Sequence, residues 1–186
     1  MRYLLVLALL FGAVSSHAGD AGRHTGRDSD DRGGPPRVYD AQGKYVGRLA
    51  SYQYQEGVFL TISGAVSFAG IERREVGNGT EYSSTQYQWS AANLIIYPSS
   101  DCSGPPIIYS PVLYAPRPST AVRLGGDVVL YVAGEADATT VHGSADRGYP
   151  DINVCAPISR DFEKSFIPET SYPLQRQHPE PLTIRP

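Results

Sequence analysis

Leu94–Tyr109 reads LIIYPSSDCSGPPIIY, and it is the stretch from which the fold class can be argued. Leu94–Tyr97 is a compact apolar run of β-favouring residues, and Ile107–Tyr109 is a second. Between them, Pro98 to Pro106 supply turn chemistry through serine, aspartate, glycine and proline. Two such runs joined by a rigid turn read as neighbouring strands. The turn also carries Cys102, one of two cysteines in the chain; the other is Cys155.

Working outward, the N-terminus has the features of an export signal. Arg2 supplies a positive start, Tyr3–Val14 an apolar run too short to span a bilayer, and Ser16-His17-Ala18 a small-x-small cleavage pattern. Residues 1–18 are therefore expected to be a signal peptide, and the mature chain to be secreted or periplasmic with no membrane span. Two cysteines in an exported protein read as one disulfide, Cys102–Cys155. Closing a loop of about fifty residues is worth about 4 kcal/mol on a chain-entropy basis.

Residues 19–37 hold Asp28, Asp30, Asp31, Arg27, Arg32, several glycines and Pro35-Pro36, with no large apolar side chain before Val38. That composition cannot offset its ordering entropy, so the segment reads as a disordered linker. Asp28-x-Asp30 with Gly33 has a trace of a calcium loop. Arg32 and Tyr39, however, occupy positions where ligands are needed. No metal and no cofactor is expected.

The β-domain is expected over residues 38–168. Asp40-Ala41-Gln42-Gly43 is a hairpin turn, Tyr45–Tyr54 a strand, Glu56-Gly57 a turn, Val58–Ile62 a strand, and Ser63-Gly64 a break before Ala65–Ile71. Gly77-Asn78-Gly79 and Gly125-Gly126-Asp127 mark further hairpins, and Asp146–Pro150 a loop. A helical turn is expected around Arg160–Ser165. Residues 169–186, with Pro173, Pro179, Pro181 and Pro186, are expected to form an extended Pro-rich tail. No segment keeps helical periodicity, so the fold class is all-β: an antiparallel sandwich or barrel-like domain with one disulfide.

The Asp40–Gly47 stretch DAQGKYVG, the SSDCSG turn of Ser99–Gly104 and the late Cys155 resemble secreted bacterial β-domains of uncharacterised role, some attached to collagen-like or fibre-like regions. The resemblance covers roughly Val38 to Ile184. It implies extracellular or cell-surface placement and brings no catalytic residues with it. This chain has no Gly-x-y array, so the collagen-like stalk is missing.

The formal net charge of −3 argues against nucleic acid as a partner, which calls for a basic stripe. No nucleophile elbow, zinc-protease motif, phosphate loop or dinucleotide fingerprint occurs. His24 falls in the linker and His178 in the Pro-rich tail, which leaves His142 as the histidine expected inside the fold. Carboxylates cluster at Glu72, Glu75 and Glu81 and at Glu135, Asp137, Asp146 and Asp151, so a hydrolase using an Asp/Glu pair is an alternative. A periplasmic protein inhibitor is another. Tyr52, Tyr54 and Tyr87, interleaved with Gln53, Gln55, Gln86 and Gln88, are the candidate ligand surface for a glycan or protein partner, and Trp89 is expected in the core. Asn78-Gly79-Thr80 is a formal glycosylation sequon. The favoured reading is a non-catalytic secreted or cell-surface module with a binding or structural role.

Overall fold

The computed structural model describes residues 34–77, 79–111, 116–148 and 151–186. The expected signal peptide, nearly all of the linker, and the Asn78 of the sequon lie outside these residues. In chain order the first elements are β1 (Arg37–Tyr39), β2 (Tyr45–Arg48), β3 (Ala50–Tyr52), β4 (Gln55–Ile62), β5 (Ala65–Val76) and β6 (Glu81–Trp89). Then come β7 (Leu94–Tyr97), β8 (Ile108–Tyr109), β9 (Ser119–Leu124), β10 (Asp127–Ala133), β11 (Thr139–Gly148) and β12 (Asp151–Phe166). The chain ends with β13 (Pro168–Tyr172), a single helical turn α1 (Leu174–Gln177) and β14 (Thr183–Arg185). Every strand pairing between these elements is antiparallel.

The hydrogen-bonded path around the main core closes on itself. β14 pairs with β1 and β1 with β2; β2 continues through Leu49 into β3, which pairs with β4. β4 pairs with β5 and β5 with β6. Tyr87 of β6 and Leu182, just before β14, exchange both backbone hydrogen bonds at 2.9 and 2.7 Å, which completes the circuit. Period-two alternation explains the inside: Val58, Leu60 and Ile62 of β4 point inward and share a core with Val38, Val46, Ile71 and Trp89. The sheet β13-β10-β9 adds Val128, Leu130 and Val132 to that core. Each such side chain, fully buried, contributes roughly 1.5–3 kcal/mol.

A second sheet, β7-β11-β12-β8, carries the disulfide. Ile95, Tyr97 and Ala145 pack with Cys102 and Val122 on one face, and Ile96, Ile107 and Phe162 pack on the other. Cys102 and Cys155 are bonded, with Cα atoms 6.0 Å apart. The two apolar runs of the Leu94–Tyr109 stretch share this sheet but are not ladder neighbours, because the β11–β12 hairpin stands between them. One bond, from the Ile107 amide to the Ile96 carbonyl, joins their ends directly.

Four local expectations change. Arg160–Ser165 is not a helical turn: it lies in β12, where pairing with β11 satisfies its backbone. Asp146–Gly148 belongs to β11 rather than to a loop. Glu56-Gly57 is not a turn either, because the chain reverses at Gln53-Tyr54 and both residues lie in β4. Finally, residues 169–186 are extended in part, as their prolines require, but the domain does not stop at Pro168. β13 and β14 are paired into sheets, and Leu174 and Leu182 are fully buried.

Candidate functional site

The outer face of β3–β4–β5 carries the feature that core packing does not explain. Phe59 and Phe68 are cross-strand partners, and Tyr52 joins them with ring centroids 6.1 and 5.2 Å away. These rings point away from the Val58–Ile62 core side, and Phe59 remains 43% exposed. Gly57 and Gly70, also cross-strand partners, make room on this face. A Cβ on Gly57 would strike the Phe68 ring and the Ala69 carbonyl; one on Gly70 would strike the Gln55 amide. The absent side chains let Phe68 and Gln55 lie flat against the sheet, which is the close approach that glycine within a strand signals.

Along the edge of β5 the segment entering β9 is stitched by three hydrogen bonds, from the Arg117 amide to the Val66 carbonyl (2.8 Å), from Ser67 Oγ to the Arg117 carbonyl (3.4 Å) and from Ser119 Oγ to the Phe68 carbonyl (3.2 Å). The face and this segment together bound a cleft of about 240 Å³ whose walls include Tyr52, Gln53, Gln55, Tyr109, Ser110 and Arg117. At its rim is the β3–β4 turn. Gln53 and Tyr54 both have positive φ, 50° and 65°, the conformation of a two-residue type I′ hairpin. Asn-Gly is the usual solution there; a bulky side chain at positive φ is a backbone outlier. Tyr54 is also completely exposed, so no packing compensates its strain. Strain of this kind concentrates at functional positions.

The three tyrosines proposed from sequence therefore separate. Tyr52, Gln53 and Gln55 line the cleft, and Tyr54 follows Gln53 in the turn without lining it. Tyr87 lies elsewhere: it packs against the main core and under Arg73, whose guanidinium is 5.7 Å from the ring centroid. Gln86 and Gln88 serve cross-strand contacts with Arg74 and Glu72. Tyr109, Arg117 and the Gly57–Gly70 pair were not singled out from sequence. Two glycines inside otherwise apolar strands were the available signal.

The carboxylates do not converge on this cleft. Glu75 and Glu81 are exposed at the end of the β5–β6 hairpin, and Glu72 is exposed at its base opposite Gln88. Glu135 and Glu169 share a separate hollow beside the Ser63-Gly64 turn, where Glu135 meets Arg117 at 3.5 Å. Both are exposed to solvent. Among the described residues, no group of His, Cys, Asp and Glu is arranged to hold a metal ion. No described helix is long and apolar enough to cross a membrane.

His142 lies on a strand of the fold, and it is His178 that departs from the open-tail reading. His142 is exposed and paired with Asp161 at 2.7 Å across β11–β12. His178 is the buried one, with Nδ1 3.4 Å from Asp40 Oδ2 and Nε2 3.3 Å from the Tyr172 hydroxyl. Asp40 is itself fully buried, and its other oxygen accepts the amides of Gln42 and Lys44 in the β1–β2 turn. Burial pulls the His178 imidazole below its ordinary value, against the opposing pull of Asp40, and burial pushes the Tyr172 phenol up. Asp–His–Tyr is suited to pinning the C-terminal segment; it offers no exposed nucleophile.

No family model matches the chain, and neither a curated protein nor a solved structure is significantly similar to it.

Proposed function

We propose that this chain is a non-catalytic β-module, secreted or displayed at a cell surface, that holds an uncharged ligand in the cleft between Tyr52 and Tyr109. The observation that carries this reading is the Gln53-Tyr54 turn. It holds a bulky aromatic side chain in a strained backbone conformation, wholly in solvent, beside a cleft walled by tyrosine and amide groups. Aromatic rings with polar tips suit recognition surfaces because they supply large contact area at low entropic cost. Export is supported by the Arg2 to Ala18 pattern and by the Cys102–Cys155 bond, which persists in oxidising compartments. The resemblance to secreted bacterial β-domains points the same way.

The hydrolase alternative is weaker, because the cleft walls contain no carboxylate among the described residues. The test is a glycan and peptide array probed with the labelled mature chain, repeated with Tyr54→Ala and Tyr109→Ala. The reading expects a selective signal that both variants weaken at unchanged melting temperature. Turnover of a bound glycan, lost on replacing Glu135 or Glu169, would overturn it in favour of an enzyme.

A further inference from the structure

The cleft at Tyr52–Tyr109 does not end at Gln55. A second hollow of about 220 Å³ shares Gln55, Phe68 and Ser119 with it, and continues along the β5–β9 seam to Ser90, Ala91 and Thr120. The two halves differ in lining. The first is aromatic. The second is floored by Gly70 and walled by Ala91, Ala92 and Ala121, small residues that leave room for a ring. Hydroxyls and amides recur along the whole length, from Ser110 through Gln55 and Ser119 to Ser90.

We infer that the ligand is a linear, uncharged oligosaccharide of several sugar units lying along this seam, an assignment that rests on the binding-module reading above. Sugar rings present an apolar C–H face to tyrosine and hydroxyls to amide and serine partners, and this groove offers tyrosines at one end and amide and hydroxyl groups along its length. Charge argues against an anionic chain. The one cation in the walls among the described residues, Arg117, is already directed to the Ala133 carbonyl and the Glu135 carboxylate. A peptide that adds as a strand would need an open edge to pair with. The seam has none where it passes Val66 and Phe68, whose carbonyls are taken by the Arg117 amide and the Ser119 hydroxyl. A proline-rich peptide, which docks in aromatic grooves without such an edge, is the competitor that the titration includes. Length follows from the two joined hollows: the aromatic half anchors one end and the small-residue half admits the next units.

The test uses the full mature chain with neutral oligosaccharides graded from mono- to hexasaccharide, chosen by array and titrated by calorimetry, with a proline-rich peptide alongside. The expected result is affinity that rises about tenfold over the first few units and then levels, as one or two added stacking contacts would give. Ala91→Trp fills the far half and should remove that gain, while the shortest bound sugar keeps its affinity and the melting temperature holds. Tyr109→Ala should weaken every length. Affinity independent of chain length, or preference for an anionic glycan or the peptide, overturns the oligosaccharide assignment and leaves the binding-module reading standing. Failure of every glycan and peptide to bind, or binding indifferent to Tyr109→Ala, overturns both.

Discussion

Trp89 donates its indole N–H to the backbone carbonyl of His178 at 3.0 Å, inside the main core. The same residue sends its amide to the Glu180 carboxylate, and Arg123 bridges Glu180 to the Trp89 carbonyl. A side chain at the end of β6 is thus the hub on which the last dozen residues are fastened. Those residues in turn complete the circuit around the main core through the Tyr87–Leu182 bridge.

The first prediction follows from that hub. Trp89 is fully buried, so Trp89→Ala should cost about 3–5 kcal/mol through lost packing and the cavity left behind. Trp89→Phe keeps most of the volume but strands the His178 carbonyl, at about 1–3 kcal/mol. Urea unfolding of both variants measures the two. A cost near zero for Trp89→Phe would mean that the indole hydrogen bond adds nothing. As Trp89 is the sole tryptophan, its emission should be blue-shifted and poorly quenched in the folded protein.

Much of this arrangement was legible from local chemistry. Asp40 to Gly43 and Ser63-Gly64 form the turns their residues demand, with Gly43, Ser63 and Gly64 at positive φ. Trp89 and the cysteine pair fall as their residue types suggest. What escaped depends on partners distant in sequence. Leu174 and Leu182 look like isolated apolar residues among prolines, and only β1, β6 and β10 give them a core. Arg160–Ser165 has no strand signature of its own and is made a strand by β11. The Gln53-Tyr54 turn was hidden because neither residue is one that positive φ favours, and the Gly57 that suggested a turn instead clears space for Phe68. The candidate site was legible as to Tyr52, Tyr54 and the neighbouring glutamines. Arg117 reaches it only through the docking of the segment before β9 onto β5, and Tyr109 only through the pairing of β8 with β12.

The second prediction concerns pH. Burial holds the folded-state pKa of His178 below the unfolded value of about 6.5. Below that pH the unfolded chain binds a proton that the folded chain resists, so the unfolded state carries more protons and stability falls as pH drops. Asp40, Lys44, Tyr172 and the Trp89–Glu180–Arg123 group surround the ring, and Asp40 opposes the shift without reversing it. Urea midpoints at pH 7.5 and 5.5 should show a loss at the lower pH that His178→Gln reduces. Parallel losses in both proteins would remove His178 as the cause.

The third prediction concerns the disulfide, which ties the β7–β8 connection to β12 across 53 positions. Replacing both cysteines with serine should cost about 4 kcal/mol by the loop-entropy estimate. The main core contains neither cysteine, whereas the smaller core of Ile95, Tyr97 and Val122 contains both or touches them. Loss of hydrogen-exchange protection should therefore concentrate in β7, β11 and β12 and spare β4 and β5. Uniform loss across both sheets would show that they unfold as one unit.

The last prediction sets stability against recognition at a single position. Tyr54 sits at φ 65° and is fully exposed, so replacing it with glycine removes a backbone penalty and no buried contact. Glycine adopts that conformation freely, although it adds entropy to the unfolded chain. The conformational penalty of a non-glycine residue there is about 1–2 kcal/mol, and the entropic cost of glycine is about 0.5–1 kcal/mol. Tyr54→Gly should thus leave the domain as stable or up to about 1.5 kcal/mol more stable. If the side chain serves recognition, the same variant should bind the selected ligand more weakly than the parent. Tyr54→Ala separates the two effects, since it loses the ring but keeps the strain: its binding should match that of the glycine variant while its stability stays below it. A glycine variant that is less stable than the parent would mean that the exposed ring supports the turn through contacts of its own, and the case for strain retained for binding would fall.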